Sequence, residues 1–549
     1  MSKELADLIF SNITKEADYY EKLYPERNLK EGAIVTRFAP SPTGFVHLGS
    51  LFASMVERKM AKQTGGVFFL RIEDTDGKRE VENGVEGIVN SLKEFGITID
   101  EGQLDAEKEL GNYGPYKQSN RKEIYHFYAK YLLEKGLAYP CFCKEEELNR
   151  IREIQEKQGV IPGYYGGFAK CRNLSFEEIK QKIENGETYI LRLKSPGNYE
   201  RKIKVHDLIK GNIEFPENNQ DIVIIKSDGL PTYHFAHAVD DHLMRTTHVI
   251  RGDEWLASVP LHVQLFKCLD FKAPKYAHIA PIMKEEDGSK RKLSKRKDVE
   301  AAVGYYSEQG IPVQAVMEYL MNIANANFEM WRKANSDKSI EDFTMELSKM
   351  SVSGALFDMV KLLNVSKEVI SKLNKDEVYE NVYNWANIYD KDLKELMDNN
   401  VEFTKQVLGI ERGNVVKPRK DISKWSDIKE ATEYMYDDLF FAKEREYIFQ
   451  TINDKQEIKN MLLKYIEKYF ELENDKQTWF NKIKDLAEEF GYAKEVKEYK
   501  VNPENYKGHV GDVSTMIRVA LTNRTNTPDM YEIMQVLGKE SVIKRLNEI

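Results

Sequence analysis

Apolar positions along this chain change their spacing several times, and each change marks an element. Ile34 to Phe38 is a short run of strand formers, followed by a Pro-Ser-Pro-Thr-Gly turn. Apolar residues then recur at helical spacing, at Leu51, Phe52, Met55, Val56 and Met60. Gly65-Gly66 ends that helix, and Val67 to Ile72 forms a second continuous apolar run. Strand, turn, helix, strand is a βαβ unit, the building block of an open parallel sheet with ligand sites at its strand ends. Residues 1–30, ahead of this unit, read as a charged helical extension.

Between residues 114 and 220 the pattern shifts. Helical spacing at Ile124, Phe127, Tyr128, Tyr131 and Leu132 gives way to a Cys-x-Cys and a glycine-rich loop, GYYGGFAKC. Strand-like runs return at Ile222–Ile225 and His248–Ile250, so the intervening stretch reads as a subdomain inserted into one α/β domain. From about residue 305 the chain reads as almost wholly helical. Met461, Leu462, Tyr465, Ile466, Tyr469 and Phe470 share one apolar face, and Trp479, Ile483, Leu486 and Phe490 share another. The sequence has no internal repeat and no low-complexity tract.

Composition narrows the class. A chain of 549 residues has room for roughly three to five domains. With 41% apolar and 31% charged residues it can bury several cores. No apolar run is long enough to cross a bilayer, and the start, MSKELADLIF, lacks the basic flank and apolar core of a secretion signal, so a soluble cytoplasmic protein is expected. Four cysteines are too few for a disulfide framework and fit a reducing compartment. A net charge of −9 argues against a uniform nucleic-acid coat. Local basic runs nevertheless occur at Lys290–Lys292, Lys295–Lys297 and Lys417–Lys420, and phosphate contacts need only a local basic surface. Taken alone, such a run is more often a solvated face.

Two segments carry candidate chemistry. RFAPSPTGFVHLGS, Arg37–Ser50, stiffens a tight turn between strand and helix and opens the helix with His47-Leu48-Gly49-Ser50. Unpaired N–H groups at a helix start bind anions. Gly49 has no side chain to hold a nucleotide off the backbone, and His47 can donate an imidazole N–H to phosphate oxygens. Alone, HLGS is a common four-residue match, and a histidine there can simply cap the helix. KLSKR, Lys292–Arg296, lies far downstream in a charged loop, EEDGSKRKLSKRKD. Lys292 and Lys295 would meet the charge that builds on an α-phosphate and a departing pyrophosphate. Stabilisation that grows in the transition state is what raises a rate. By itself this loop would read as solvated.

Together the two segments resemble the paired signatures of class I aminoacyl-tRNA synthetases, and the likeness narrows further. RFAPSPTGFVHLGS, FFLRIEDTD (Phe68–Asp76), GPYKQSNR (Gly114–Arg121), SDGLPTYHFAHAVDDHLM (Ser227–Met244), THVIRGDEW (Thr247–Trp255) and KLSKR stand in the order and spacing of bacterial-type glutamyl-tRNA synthetases. The resemblance is dense over residues 31–300, thins through the helical half, and returns in IRVALTNRTNTPDMYEIMQVLGKE (Ile517–Glu540). It implies an α/β Rossmann-like catalytic domain with an inserted α+β subdomain, followed by an all-α C-terminal anticodon-binding half. In that scheme residues 31–113 and 221–300 are the two halves of the catalytic domain, and 114–220 is the acceptor-binding insertion. Residues 301–375 form a stem-contact helical domain and 376–549 the anticodon-binding domain, after a helical extension at 1–30.

The same resemblance implies a glutamate–tRNA ligase used in protein synthesis. ATP converts glutamate to glutamyl-adenylate, Mg²⁺ accompanies the ATP, and the glutamyl group passes to the 3′ end of tRNA(Glu). Activation is expected to wait for bound tRNA. The motifs leave open whether tRNA(Gln) is charged too, and the expected protein is a monomer with no membrane partner.

Arg37, Ala39, Ser41, Glu73, Tyr233, His237 and Arg251 are implied to surround glutamate, with Arg251 facing its side-chain carboxylate and Glu73 its ammonium. A guanidinium suits the task because it grips a carboxylate through two parallel hydrogen bonds. His47, Gly49, Glu254, Trp255, Leu293 and Lys295 are implied around ATP, and His47, Gly49, Lys292 and Lys295 form the catalytic set. His237 departs from the pattern, which usually has asparagine there, and this puts the detail of glutamate recognition in question.

Cys141, Cys143 and Cys171 lie where some relatives hold zinc. A closed zinc site needs four ligands. Asn173 stands where some relatives have histidine, and Tyr165 is the remaining oxygen donor, so the balance falls toward three buried thiols without metal. Arg419 and Arg524 are candidate tRNA contacts. Three rivals are disfavoured: a glutaminyl-tRNA synthetase by the RFAPSPTG turn and helical C-terminal half, a glutamyl-queuosine synthetase by length, and a catalytically silent RNA-binding paralogue by the intact His47, Gly49, Lys292 and Lys295.

Overall fold

The computed structural model describes residues 2–42, 46–76, 81–294, 296–413 and 415–549. The chain divides into two compact units, Met1–Tyr305 with Met317–Asp358 and Tyr306–Val316 with Met359–Ile549.

The first unit opens with two short helices, α1 (Ser2–Ile9) and α2 (Tyr19–Leu23). Then come β1 (Val35–Phe38), α3 (Leu48–Gln63), β2 (Val67–Leu70), α4 (Gly84–Glu94), β3 (Glu101–Gln103) and β4 (Glu109–Leu110). Strands β1, β2 and β3 pair in parallel, and β4 returns antiparallel at the edge. All four residues of β1 are buried, as a strand covered on both faces requires.

The insertion carries α5 (Lys122–Glu134), β5 (Ala138–Cys141), α6 (Glu145–Lys157), α7 (Phe176–Glu184), β6 (Ile190–Leu193), β7 (Lys202–Asp207), β8 (Gly211–Pro216) and β9 (Val223–Ile225). It is followed by α8 (Tyr233–Leu243), β10 (His248–Gly252), α9 (Val259–Cys268), β11 (Lys275–Ile279) and the hairpin β12 (Met283–Glu286) and β13 (Ser289–Lys292). Strand β10 pairs in parallel with β11. Thr247 N donates to Val35 O at 3.1 Å and Val35 N to Thr247 Oγ1 at 2.8 Å, which seats β10 beside β1. The strand order therefore reverses between β1 and β10, and a crevice opens at the carboxyl ends of the strands on either side of such a reversal.

One feature differs from the sequence expectation. Ile222–Ile225 was expected to resume the catalytic sheet. Strand β9 instead pairs antiparallel with β6 in a sheet of order β5-β6-β9, and the hairpin β7-β8 joins β11 at Asp207. Strand-forming residues specify a strand but not its partner. Here the partner is fixed by buried Asp221, which takes hydrogen bonds from Tyr139 Oη at 2.7 Å and Ser195 N at 2.8 Å and pairs with Arg172. The N-terminal extension is helical, as expected, and it also packs into the first core. Ala6, Phe10, Ile13, Tyr20 and Tyr24 enter the same core as Ile124, Phe127 and Leu132 of α5 and Phe235 of α8. Arg27 then clamps Glu101 of β3 with two hydrogen bonds of 2.7 and 2.9 Å.

The second unit is helical around two cores. One gathers Met461, Leu462, Tyr465, Trp479, Ile483 and Leu486, the faces expected from their spacing, and the other gathers Val378, Val382, Leu393 and Met397. The helix Lys455–Lys464 loosens into a π turn at Tyr465–Tyr469. No helix among the described residues is long and apolar enough to cross a membrane.

Arg545 is fully buried in this unit and donates to the carbonyls of Tyr434 (2.7 Å), Met435 (3.0 Å) and Leu521 (3.1 Å) as well as to Asp437. Arg545→Met would strand those carbonyls in an apolar core. We expect denaturant unfolding to show a loss of about 3–5 kcal/mol, by analogy with breaking a buried ion pair. An unchanged midpoint would show that the arginine is dispensable to the fold.

Candidate active site

Strand β1 ends at Phe38, and Arg37, the residue before it, is 3% exposed. Across the turn, α3 is capped by His47, whose extended backbone (φ −102, ψ 164) lets its Nδ1 accept the Ser50 N–H at 3.3 Å. The ring lies over Gly49, where a Cβ would come within 3.1 Å of His47 Cε1. The His47 backbone also bridges Ala302, which brings the chain that follows KLSKR alongside the helix start.

These elements enclose one cavity of about 660 Å³. Arg37, Ala39, Ser41, Glu73, Tyr233 and Arg251 line it from the implied glutamate set. His47, Gly49, Glu254, Trp255 and Leu293 line it from the implied nucleotide set, together with Lys292. Two segments far apart in the sequence thus face one space. Lys295 lies outside the described residues.

The buried wall is a charge network that sequence reasoning did not find. Arg71, fully buried, donates to Asp241 Oδ1 at 2.7 Å and to Glu73 Oε1 at 3.1 Å. Arg37 Nε reaches both oxygens of Asp241 at 3.2 and 3.3 Å. Burial alone would push Asp241 up, but Arg37 and Arg71 outweigh it and hold the carboxyl well below its ordinary range. At Glu73 burial wins, and the carboxyl is raised against the pull of Arg71 and Arg37. Next to Asp241 on α8, Asp240 is held by Arg121 (2.7 Å), Gln118 (2.8 Å) and Tyr125 (2.8 Å). The available signal was two adjacent acids, Asp240-Asp241, inside an apolar helix.

Arg251 is bound differently. Its Nε donates to His278 Nε2 at 3.1 Å, its Nη2 lies 3.1 Å from His262 Nδ1, and its Nη1 approaches Tyr233 Oη at 3.4 Å. Burial pushes His262 well below its ordinary value, so that ring is a neutral acceptor. Asp207 reaches Arg251 only through His278, whose Nδ1 it meets at 2.6 Å. Among the described residues no carboxylate pairs with Arg251 directly, and this nearly buried guanidinium lines the cavity.

His237 is not among the residues that line the cavity. It sits fully buried one layer behind Tyr233, with ring centroids 6.0 Å apart. Its Nδ1 lies 2.9 Å from Asp241 Oδ2, off the direction of a good hydrogen bond, and its Nε2 lies 3.2 Å from Tyr276 Oη. Burial pushes it down to about 3, so it is neutral at physiological pH. One helical turn separates it from Tyr233, and that turn leads inward.

The basic loop has its own anchor. Asp298 is 3% exposed and accepts from Arg291 at 2.7 and 2.8 Å and from Ser294 N at 2.8 Å, with Lys284 at 3.1 Å. Hydrogen bonds from Arg291 hold it well below its ordinary value. Lys292 itself stays exposed, 3.6 Å from Glu254.

Outside the cavity, the sulfurs of Cys141, Cys143 and Cys171 lie within 4.8 Å of one another. The oxygen donor beside them is Tyr164, not Tyr165. Tyr164 Oη is 3.2 Å from Cys143 Sγ and accepts the Cys171 N–H at 3.1 Å, whereas Tyr165 Oη turns away to Ile161 O. In the second unit Arg419 and Arg524 border one cavity of about 500 Å³ with Tyr434. Arg419 is doubly bonded to Asp421 at 2.8 and 2.7 Å, and Arg524 lies 4.9 Å from the Tyr434 ring centre.

Residues 33–364 match the family described as tRNA synthetases class I (E and Q), catalytic domain, and residues 377–549 match the anticodon binding domain family. The fold is that of a class I tRNA synthetase. The chain is 52% identical to the glutamate–tRNA ligase of Clostridium perfringens (strain 13 / Type A), over 99% of this chain and 100% of that one. It is 49% identical to the glutamate–tRNA ligase of Acetivibrio thermocellus, over 100% of this chain and 99% of that one. A crystal structure of a glutamate tRNA ligase from Elizabethkingia meningosepticum in complex with its amino acid superposes with a TM-score of 0.73 at 27% identity, covering 94% and 98% of the two chains. The chain belongs to the glutamate–tRNA ligase family.

The hairpin generates one structural prediction. Asp298→Asn weakens the ties to Arg291, Lys284 and the Ser294 N–H that anchor the basic loop, so trypsin should cut after Lys290, Arg291 or Lys292 several-fold faster than in the wild type. An equal cleavage rate would show that Asp298 does not restrain the loop.

Proposed function

We propose that the cavity activates glutamate with ATP, and that the glutamyl group then passes to the terminal hydroxyl of tRNA(Glu). The observation that carries this reading is the meeting of His47-Gly49 and Lys292-Leu293 around the space that Arg37, Glu73 and Arg251 also line.

The family resemblance supplies the residue roles, and the cavity lining supports them. Arg251, which has only neutral partners in direct contact, takes the side-chain carboxylate of glutamate, since a buried cation favours an anion it can pair with bidentately. Glu73 takes the ammonium, and Arg37, Ala39, Ser41 and Tyr233 complete the wall. The phosphates of ATP lie at the start of α3, where backbone N–H groups and His47 meet anionic oxygens, and Gly49 leaves room for close approach. Trp255 and Leu293 border the adenine, and Gly49 and Glu254 the ribose.

An α-carboxylate oxygen of glutamate attacks the α-phosphorus, a P–O bond forms, and the bond to pyrophosphate breaks. Lys292 meets the departing charge, and the KLSKR motif assigns the same part to Lys295. The tRNA hydroxyl then attacks the activated carbonyl and AMP leaves. No protein nucleophile is required, and rate comes from positioning and charge stabilisation. Mg²⁺ accompanying the ATP would be shared among phosphate oxygens and water and would supply charge neutralisation on the phosphates. His237 acts from behind the wall and holds no substrate atom.

The second unit would read the anticodon, with Arg419 and Arg524 as the candidate tRNA contacts at the cavity they border. We assign the protein to the cytoplasm as a monomer. Against the sequence expectation of three buried thiols without metal, we read the thiol cluster as a structural zinc site. Its Cys143–Cys171 sulfur separation of 3.7 Å is close to the edge of a tetrahedron with roughly 2.3 Å Zn–S bonds, and Tyr164 offers a fourth donor beside the three sulfurs.

ATP–pyrophosphate exchange, with and without tRNA, and charging of purified tRNA(Glu) and tRNA(Gln) test the assignment. Exchange that depends on glutamate and tRNA, with charging of tRNA(Glu), is expected, and failure on both tRNAs defeats the reading. Arg251→Ala should raise KM for glutamate by roughly thirtyfold or more, the lower end of what losing one partner of a buried charge pair costs. An unchanged KM removes Arg251 from the pocket. Elemental analysis of the purified protein should find about one zinc per chain, lost in Cys171→Ser, and a metal-free wild type rejects the zinc site.

A further inference from the structure

Helix α3 carries a carboxyl group that the reading above leaves unused. Glu57 is only 2% exposed, yet it lines the same cavity. Its Oε1 lies 4.0 Å from Arg37 Nη1, and its Oε2 is buried with no hydrogen-bond partner among the described residues. Buried carboxyl oxygens are normally satisfied, so an orphan at a cavity wall calls for a proton, a ligand or both.

Of the cations around it, Arg37 and Arg71 are paired directly with carboxylates and Arg251 only through an imidazole. Arg37 gives its Nε to Asp241, Arg71 is shared between Asp241 and Glu73, and Arg251 reaches Asp207 through His278. Three arginines thus face three carboxylates before any substrate arrives. Glutamate brings two carboxylates and one ammonium, a net charge of −1. An ionised Glu57 would add a second uncompensated anion to a buried wall, which is strongly unfavourable.

The groups that face Glu57 from the elements packed on α3 are few. From β1 it meets Arg37, and behind that arginine stands Asp241 of α8. Strand β10 brings Arg251, and β2 brings no titratable side chain. The turn Val299–Ala301 brings Glu300, and Asp298 beside it is held by Arg291. Burial pushes the Glu57 carboxyl up to about 8, offset by Arg37 and reinforced by the charge of Asp241.

We propose that Glu57 is a specificity-determining residue of the amino-acid pocket, donating a hydrogen bond from Oε2 as the neutral acid to a carboxylate oxygen of the bound dicarboxylic amino acid beside Arg37. This rests on the reading of the cavity as a glutamate site. The neutral acid has a proton to give, which suits a carboxylate. The ionised form can only accept, which suits an amide or ammonium N–H.

The sign of the pH dependence follows. The donor is present below the Glu57 value of about 8 and is lost as pH rises through it. In tRNA-dependent ATP–pyrophosphate exchange, kcat/KM for glutamate should fall about tenfold between pH 7 and pH 9, because that ratio reports ionisations of the free enzyme. The ratio for ATP at saturating glutamate should hold nearly constant. Glu57→Gln donates from its amide at every pH and shares all other ionisations, so its profile for glutamate should lose that decline. A flat wild-type profile, a rise with pH, an equal fall in the ATP ratio, or a variant that declines in parallel overturns the proposal. The wild-type comparison of glutamate with ATP decides the matter even if the variant does not fold. Absence of any glutamate-dependent exchange at pH 7 instead defeats the underlying assignment.

Discussion

The site is built on one buried carboxylate. Asp241, in the last turn of α8, lies where β1 and β2 end, and both strands deliver an arginine to it: Arg37 from β1 and Arg71 from the residue after β2. A carboxylate in a dry interior is tolerated only when cations compensate it, and removing one partner of such a group costs several kcal/mol. The three elements therefore fix one another. Glu73 follows Arg71 by two residues and shares its side of the extended chain, so the grip on Arg71 also places the acid that faces the cavity. A reaction that depends on positioning needs walls of this kind, whose side chains have no alternative partners to wander toward.

The two cavity arginines show how a protein distinguishes structural from receptive charge. Arg37 already has its carboxylate. Arg251 is held in place by His278, His262 and Tyr233, neutral groups that fix the guanidinium's direction without consuming its charge. Asp207 orients His278 from the far side, so the nearest carboxylate acts on Arg251 through an imidazole. Such a guanidinium is dissatisfied in the empty cavity and becomes paired only when an anion enters, which turns its desolvation into selectivity for that anion.

Much of this was legible in the sequence, and the failures have physical causes. The alternation of strand, turn and helix placed β1, α3 and β2, and the motif order brought Arg37, Glu73, Tyr233 and Arg251 to one cavity with His47, Gly49 and Lys292. His237 could be placed in the pocket or in the core behind it, because a position four residues on shares the helix face of Tyr233 but lies a turn deeper, and depth is not written in spacing. Tyr164 and Tyr165 could not be told apart, since neighbours in an irregular loop point in different directions. The partner of β9 depends on Asp221, whose contacts come from residues distant in sequence. Glu57 left a signal that went unread, a lone acid directly after Met55 and Val56 on the buried face of α3.

The site's two halves differ in how they carry charge, and the difference suits their tasks. The wall that carries Arg37 and Arg251 is closed, with the two arginines only 3% and 6% exposed, so its electrostatics act at short range in a medium that screens little. That environment discriminates among ligands by single charges. The side that carries Lys292, proposed above for the nucleotide, is open. Lys292 is exposed at the end of a two-stranded hairpin whose loop hangs on the single buried acid Asp298. A product that carries several negative charges must leave after every turnover. A lysine in water, tethered but not buried, can stabilise that charge as it builds and still release it, because solvent competes for the same interaction. Burial is spent where the enzyme must choose, and exposure is kept where it must let go.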